Sequence, residues 1–344
     1  MKWLLIILTI VPTIAFGQFD PKTEEYQHKN IIKNNDTIRY HYYAKGSLVD
    51  KKKILLFFQG SGPFPLFSQE TILDTIKVVE NGETKNKIQK SMMLGSSVPF
   101  DLDRIPSDYI FVIISKKGVP FKDTNKQFVP NENYYANEGL DYRVWQGNEV
   151  IKDITKTIIK KPNKIVVIGH SEGSTVVAKL GQINKKVTHI GYWAGGANTQ
   201  YYDFALMVQK KVQQGEIKQE EAINQLDSLF LAVKSIQKEP NDINKEWWGN
   251  SYRRWSQFTL PSIDNLLKIK KPIYVAVGTL DENVPFEASL LIPIEFARYN
   301  KTNLTFKMYE GFNHGFYKKP EKEGEFWSNE FMTVFEEFIK WVEQ

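Results

Sequence analysis

Apolar residues in this chain gather into short continuous runs, separated by stretches where they recur every three or four positions. The runs are Ile54-Leu55-Leu56-Phe57-Phe58, Tyr109 to Ile114, Lys164-Ile165-Val166-Val167-Ile168, His189 to Trp193 and Ile273 to Val277. Such runs suit strands covered on both faces of a parallel sheet. A sixth, Leu304 to Tyr309, alternates and predicts a half-exposed strand. Upstream, apolar and aromatic residues alternate from Tyr26 to Tyr43 around Asn34-Asn35-Asp36, which predicts a hairpin. Helical spacing fills the gaps. Gly139 to Ile159 carries Leu140, Val144, Val150, Ile151, Ile154 and Ile158, and Glu172–Leu180, Pro285–Tyr299 and Phe326–Val342 read as further helices. Strands alternating with helices predict an α/β fold with a doubly wound, mostly parallel sheet.

Two stretches break the alternation. Residues 64–106 form a long connection containing Asn81-Gly82 and several lysines, read as an excursion over the sheet edge. Residues 199–262 hold an amphipathic segment with Ile223, Leu226, Phe230, Val233 and Ile236 at helical spacing, followed by Trp247, Trp248, Tyr252 and Trp255. A segment this long is either a functional lid or a packing cover, and the pattern allows both.

The first residues carry a different signal. Lys2, an apolar run from Trp3 to Ile14, and Ala15-Phe16-Gly17 have the layout of a signal peptide. Residues 1–17 are therefore expected to be removed, leaving 18–344 as an exported protein without a membrane span. With 42% apolar and 25% charged residues the chain is globular rather than disordered. Its formal charge of +5 contains no long basic block, so no nucleic-acid partner is expected. Cysteine is absent, which excludes disulfides, thiolate metal sites and a cysteine nucleophile. No H-E-x-x-H or histidine cluster is present, and no metal or cofactor is expected.

The candidate chemistry lies in Gly169-His170-Ser171-Glu172-Gly173, a G-x-S-x-G that follows a predicted strand and opens a predicted helix. A sharp strand-to-helix turn lifts a serine hydroxyl above the sheet, and the glycines make room for it. Ser171 is unreactive unless a base takes its proton. The histidines are His28, His41, His170, His189 and His314. The first two sit in the N-terminal hairpin, His170 is bound into the turn, and His189 opens a strand at the opposite end. That leaves His314, in Glu310-Gly311-Phe312-Asn313-His314-Gly315-Phe316 after the last strand. An orienting acid should follow the preceding strand, where Gly278-Thr279-Leu280-Asp281-Glu282 offers Asp281, with Glu282 as its competitor. Donors for an oxyanion would be the backbone N–H of Glu172 and that of Ser61 or Gly60 in Gln59-Gly60-Ser61-Gly62-Pro63. No G-K-[ST] follows that turn, which argues against a phosphate loop.

These motifs resemble the α/β-hydrolase fold superfamily, and the G-H-S-E-G form is most similar to its serine aminopeptidase, dienelactone-hydrolase and esterase branches. The resemblance spans nearly all of residues 18–344. It implies Ser171 as nucleophile, Asp281 as acid and His314 as base, with residues 199–262 as a helical cap over the pocket. The chain departs from the common His-Gly oxyanion pattern by having Gln59 where many members have histidine. The expected activity is cleavage of a small-molecule ester or other acyl substrate. The same triad would serve a peptidase or a thioesterase, and a non-catalytic ligand-binding protein of this fold is the other alternative. In the cap, Trp255 and Arg253 are candidate substrate contacts. Arg253 and Arg254 suit an acidic substrate group, or else a structural ion pair.

Overall fold

The computed structural model describes residues 21–80, 83–124 and 126–344. The segment read as a signal peptide and the Asn81-Gly82 pair lie outside them. The N-terminal hairpin forms as expected from β1 (Gln27–Lys33) and β2 (Asp36–Tyr43). Its two-residue turn holds Asn34 and Asn35 at φ 51° and 58°. Asparagine tolerates that left-handed pair better than most side chains do. β3 (Lys53–Phe58) is the interior strand. Ile54, Leu56 and Phe58 enter one apolar layer, and Leu55 and Phe57 enter the other.

Residues 64–106 contain more structure than an excursion. β4 (Phe67–Glu80) and β5 (Glu83–Ser96) pair antiparallel from Phe67↔Ser96 to Glu80↔Glu83. The ribbon hides from pattern reading because both its faces mix apolar and polar residues. Leu73, Ile88 and Met92 along it are exposed. β6 (Tyr109–Ile114) then returns to the main sheet, and β7 (Lys122–Thr124) pairs with the base of β4.

The helical connections follow. α1 (Glu132–Asn137) and α2 (Leu140–Thr157) lead to β8 (Lys164–His170), and α3 (Glu172–Ile183) leads to β9 (His189–Trp193). Residues 199–262 are largely helical, with α4 (Gln200–Gln213), α5 (Gln219–Lys238), the short pair β10 (Glu246–Trp247) and β11 (Asn250–Ser251), and α6 (Tyr252–Phe258). On α5 the buried positions are Ala222, Leu229 and Ile236, seven residues apart, whereas Ile223 and Phe230 face out. Of the expected stripe, Ile236 is buried and Leu226 and Val233 are half-buried, while Ala222 and Leu229 take the inward places expected of Ile223 and Phe230.

After α7 (Ile263–Leu266) comes β12 (Ile273–Gly278). The helix expected over 285–299 is split into α8 (Phe286–Ser289) and α9 (Leu291–Arg298). Pro293 has no N–H to donate to the Ser289 carbonyl, so the i→i−4 ladder is interrupted there. β13 (Leu304–Tyr309) follows, and a small pair, β14 (Tyr317–Lys318) and β15 (Ser328–Asn329), precedes α10 (Phe331–Val342). That last helix starts later than Phe326, the expected first residue, because residues 328–329 are engaged in the pair.

The main sheet runs β1-β2-β6-β3-β8-β9-β12-β13, parallel from β6 onward and antiparallel at the hairpin edge. One layer packs α2, α3 and α9 on the sheet, and the other packs α10 with Val98–Ile105. The connections that leave β3, β8 and β12 all emerge at one end of the sheet, where open α/β sheets build their sites. Among the described residues no helix is long and apolar enough to cross a membrane.

Candidate active site

Between β8 and α3 the chain turns through Ser171, at φ 57° and ψ −126°. A non-glycine residue is strained there, and such strain is characteristic of functional turns. The glycines of the motif are steric necessities. A Cβ on Gly169 would lie 2.0 Å from the Gly173 carbonyl oxygen, and one on Gly173 would lie 2.1 Å from that of Phe58. The loop leaving β3 passes directly beside the turn, since a Cβ on Gly60 would sit 3.2 Å from the Ser171 Cβ. Ser61 follows Gly60 on this loop and is exposed, while Glu172 opens α3. The two candidate oxyanion donors are therefore carried by the segments that flank Ser171.

His314 is delivered by the loop after β13, which closes onto the end of β12. The Leu280 N–H donates to the Phe312 carbonyl at 2.8 Å, and the Gly311 N–H donates to Thr279 Oγ1 at 2.9 Å. Gly278 permits this approach, because a Cβ there would be 2.4 Å from the Phe312 oxygen. His314 Nδ1 lies 2.8 and 2.9 Å from the two carboxylate oxygens of Asp281. Asp281 is itself fixed, its Oδ1 accepting the N–H groups of Asn283 at 2.9 Å and Val284 at 2.8 Å. Glu282 takes another task, accepting the His314 backbone N–H at 3.2 Å. The geometry thus separates the two acids that the sequence left in competition.

His170 joins the two halves. Its Nε2 donates to the His314 carbonyl at 2.8 Å, and the two rings lie 4.9 Å apart. Burial, reinforced by the neighbouring His314, pushes His170 down to about 4, so it is neutral at pH 7. Burial also opposes charge on His314, but the Asp281 carboxylate outweighs it and holds His314 above the ordinary histidine value. Asp281, His314 and the Ser171 turn thus come together through His170. Among the described residues the Ser171 hydroxyl makes no hydrogen bond, so contact with His314 Nε2 is not closed in this state. Such contacts often tighten only when substrate binds.

A model of the dienelactone hydrolase family matches residues 230–344, a stretch that carries Asp281 and His314 but not Ser171. The structure is similar to the acylaminoacyl peptidase of Pyrococcus horikoshii, with a TM-score of 0.55 at 10% identity over 93% of this chain and 41% of that one. The chain therefore spans about two fifths of that protein's length. The chain has the α/β-hydrolase fold. Est1E from Butyrivibrio proteoclasticus is also similar, with a TM-score of 0.49 at 12% identity, covering 92% of this chain and 97% of that one. No curated protein matches the chain in sequence.

Behind the elbow of this α/β-hydrolase fold lies a buried charge cluster that motif reading did not anticipate. The Glu172 side chain is buried. Its Oε1 accepts Arg143 Nη1 at 3.0 Å, and its Oε2 accepts Arg254 Nε at 3.0 Å and Nη2 at 2.7 Å. Burial would raise this carboxyl, but Arg254, Lys116 and Arg143 together bring it down to about 2. Arg143 also donates to the Gln59 carbonyl at 2.9 Å, and Lys116 Nζ donates to the carbonyls of Gly60 and Gly62 at 2.7 Å each. Both segments that carry candidate oxyanion donors are therefore held by one set of cations. Gln59, which replaces the common histidine, is anchored by its amide on the Ile114 carbonyl at 3.3 Å. A signal for Arg143 was present, since it sits between Leu140 and Val144 on the apolar face of α2. Lys116 follows the last apolar residue of β6 at the active-site end of the sheet. Neither signal says which partner is met.

The two cap residues expected to contact substrate have other partners. Trp255 is 4% exposed, and its Nε1 donates to the Trp247 carbonyl at 2.6 Å within a cluster with Tyr201 and Phe204. Arg253 Nη1 donates to the Ala136 carbonyl at 2.9 Å. Arg254 forms the structural ion pair instead. Packing demands explain all three, because a large indole and two guanidiniums at a helix start are satisfied most cheaply by nearby carbonyls, carboxylate and rings.

Proposed function

We propose that the protein is an exported serine hydrolase that cleaves carboxylic esters through an acyl-enzyme. The observation that carries this reading is the bidentate approach of Asp281 to His314 Nδ1, in a loop held against the strained Ser171 turn by His170. With Nδ1–H given to Asp281, Nε2 is the nitrogen left to take the Ser171 proton as Oγ attacks the ester carbonyl. The N–H groups of Glu172 and of Ser61 or Gly60 would receive the oxyanion of the tetrahedral intermediate. On its collapse the imidazolium returns the proton to the departing alcohol, and a water molecule repeats the sequence to release the acid. The export reading rests on residues 1–17 alone.

A peptidase is the second reading. It is favoured by the likeness to an acylaminoacyl peptidase, and it would use the same acyl-enzyme with an amine leaving group. Turnover of p-nitrophenyl acetate and butyrate against the matching p-nitroanilides separates the two. The esterase reading expects the esters to turn over and the anilides to be poor substrates. Absence of turnover on both series would remove the hydrolase proposal.

The charge state of His314 sets a pH dependence. The base must be neutral, and its protonated form is stabilised by Asp281, so kcat/KM should rise with pH through a value above the ordinary histidine range. Asp281→Asn removes that stabilisation. It should move the inflection to lower pH and reduce kcat by on the order of 10⁴-fold. A profile whose inflection does not move in this variant would detach Asp281 from the reaction.

A further inference from the structure

At the active-site end of the sheet, to one side of Ser171, β6 runs out into Ser115–Val119. There, with the start of β2 and the helices α1 and α2, it borders a cavity of about 230 Å³. Thr37, Arg39, Ser115, Lys116, Lys117 and Gln146 are among its lining residues, and none of the described lining residues is acidic. The positive charge on its walls is only partly answered. Lys117 is paired with the Asp36 carboxylate, which also accepts the Tyr142 hydroxyl at 2.6 Å. Lys116 Nζ has the carbonyls of Gly60 and Gly62, and stands 3.8 Å from Glu172 Oε1. The Arg39 side chain makes no hydrogen bond or ion pair with the described residues, while its backbone carbonyl accepts the Ser115 N–H at 3.0 Å. Neutral hydrogen-bonding groups complete the walls, including the Ser115 hydroxyl, which lies 3.0 Å from His41 Nε2.

We propose that this cavity binds a small anion bearing carboxylate or phosphate groups, and that its occupancy is felt at Ser171 through Lys116. A guanidinium fork and two ammonium groups around a concave, partly desolvated space form the donor set that holds such anions. The coupling follows from the position of Lys116. It is one of the residues lining the cavity, and its Nζ fixes the carbonyls on either side of Ser61, a candidate oxyanion donor. An anion that draws the ammonium toward itself loosens those two bonds and alters how the Ser61 N–H is aimed. Burial and the neighbouring Arg143 lower the Lys116 ammonium to about 7, so an anion beside it would also favour its charged form. The coupling rests on the serine-hydrolase reading above, whereas the binding does not.

Calorimetric titration of the full chain with inorganic phosphate and, separately, with succinate at constant ionic strength tests the site. Saturable one-to-one binding of at least one is expected, and which binds more tightly distinguishes a phosphate from a dicarboxylate ligand. Arg39→Gln should weaken the binding by about tenfold or more, and Arg39→Gln with Lys117→Gln should weaken it further. The single variant removes an exposed side chain without a partner and avoids disturbing Asp36. Ser171→Ala should bind as the parent does, which keeps this test independent of catalysis. At saturation the anion should change kcat for the uncharged ester p-nitrophenyl butyrate by about twofold or more, a change absent in the double variant. No saturable binding up to about 50 mM of either anion, or unaltered binding by Arg39→Gln, would overturn the site. Binding with unchanged kcat would overturn the coupling.

Discussion

Ser171→Ala is expected to lower kcat/KM for p-nitrophenyl butyrate by about 10⁴-fold or more, with an unchanged circular dichroism spectrum. The size of the effect follows from the division of roles. Without Oγ there is no acyl-enzyme, and only the oxyanion donors and binding remain to accelerate direct attack by water. The fold should survive because the hydroxyl makes no hydrogen bond with the described residues, so its removal leaves no buried partner unsatisfied. The turn itself is held by backbone, with the Ser171 N–H on the Trp193 carbonyl at 3.0 Å. Turnover at the parent rate in a folded variant would exclude Ser171 as the nucleophile.

Glu172→Gln should have the largest effect on stability, costing about 3–5 kcal/mol. The carboxylate is buried between Arg143 and Arg254, with Lys116 nearby. Replacing it with a neutral amide leaves cations in the interior whose desolvation is no longer offset. A loss of that size corresponds to a drop in Tm of roughly 4–7 °C for a chain of this length. Arg298→Gln offers a contrast, because its pair with Glu295 is exposed and should leave Tm unchanged. The pH dependence has a definite sign. The folded-state value of Glu172 is depressed to about 2 from an ordinary 4.5, so its contribution is complete above 4.5 and is lost as pH falls toward 2. A Glu172→Gln protein that melts with the parent would show that the cluster is not a stabilising centre.

The parts of this molecule that could be read from the chain are those whose cause is local. The β-rich apolar run Ile54–Phe58, bounded by lysines before it and Gln59-Gly60 after it, is an interior strand, whereas the equally apolar Leu229–Val233 lies in the long helix α5, so length and flanking residues decide which a run becomes. The Ser171 turn is local in the same sense, because Gly169 and Gly173 are required within two residues of it. Long-range partners are another matter. Arg254 is 82 residues from Glu172, and nothing near it distinguishes a buried ion pair from a substrate contact. Motif spacing favours Asp281 over Glu282, but what Glu282 does instead depends on the path of the 310–315 loop, which turns one carboxylate to the ring and the other to the backbone. The β4–β5 ribbon was missed because its faces are not segregated, leaving no period to detect. The split of α8 from α9 was legible in Pro293, but helical spacing on either side of it masked the break.

Whether Ser171 is the serine activated by His314 and Asp281 is decided by labelling with a fluorophosphonate and mapping the adduct by peptide mass spectrometry. The structure provides its own rival, since Ser115 lies within hydrogen-bond distance of His41. A single stoichiometric adduct on Ser171, formed more slowly in His314→Ala and Asp281→Asn, is the predicted result. No adduct on the folded protein, or an adduct on Ser115 with Ser171 unmodified, would contradict it.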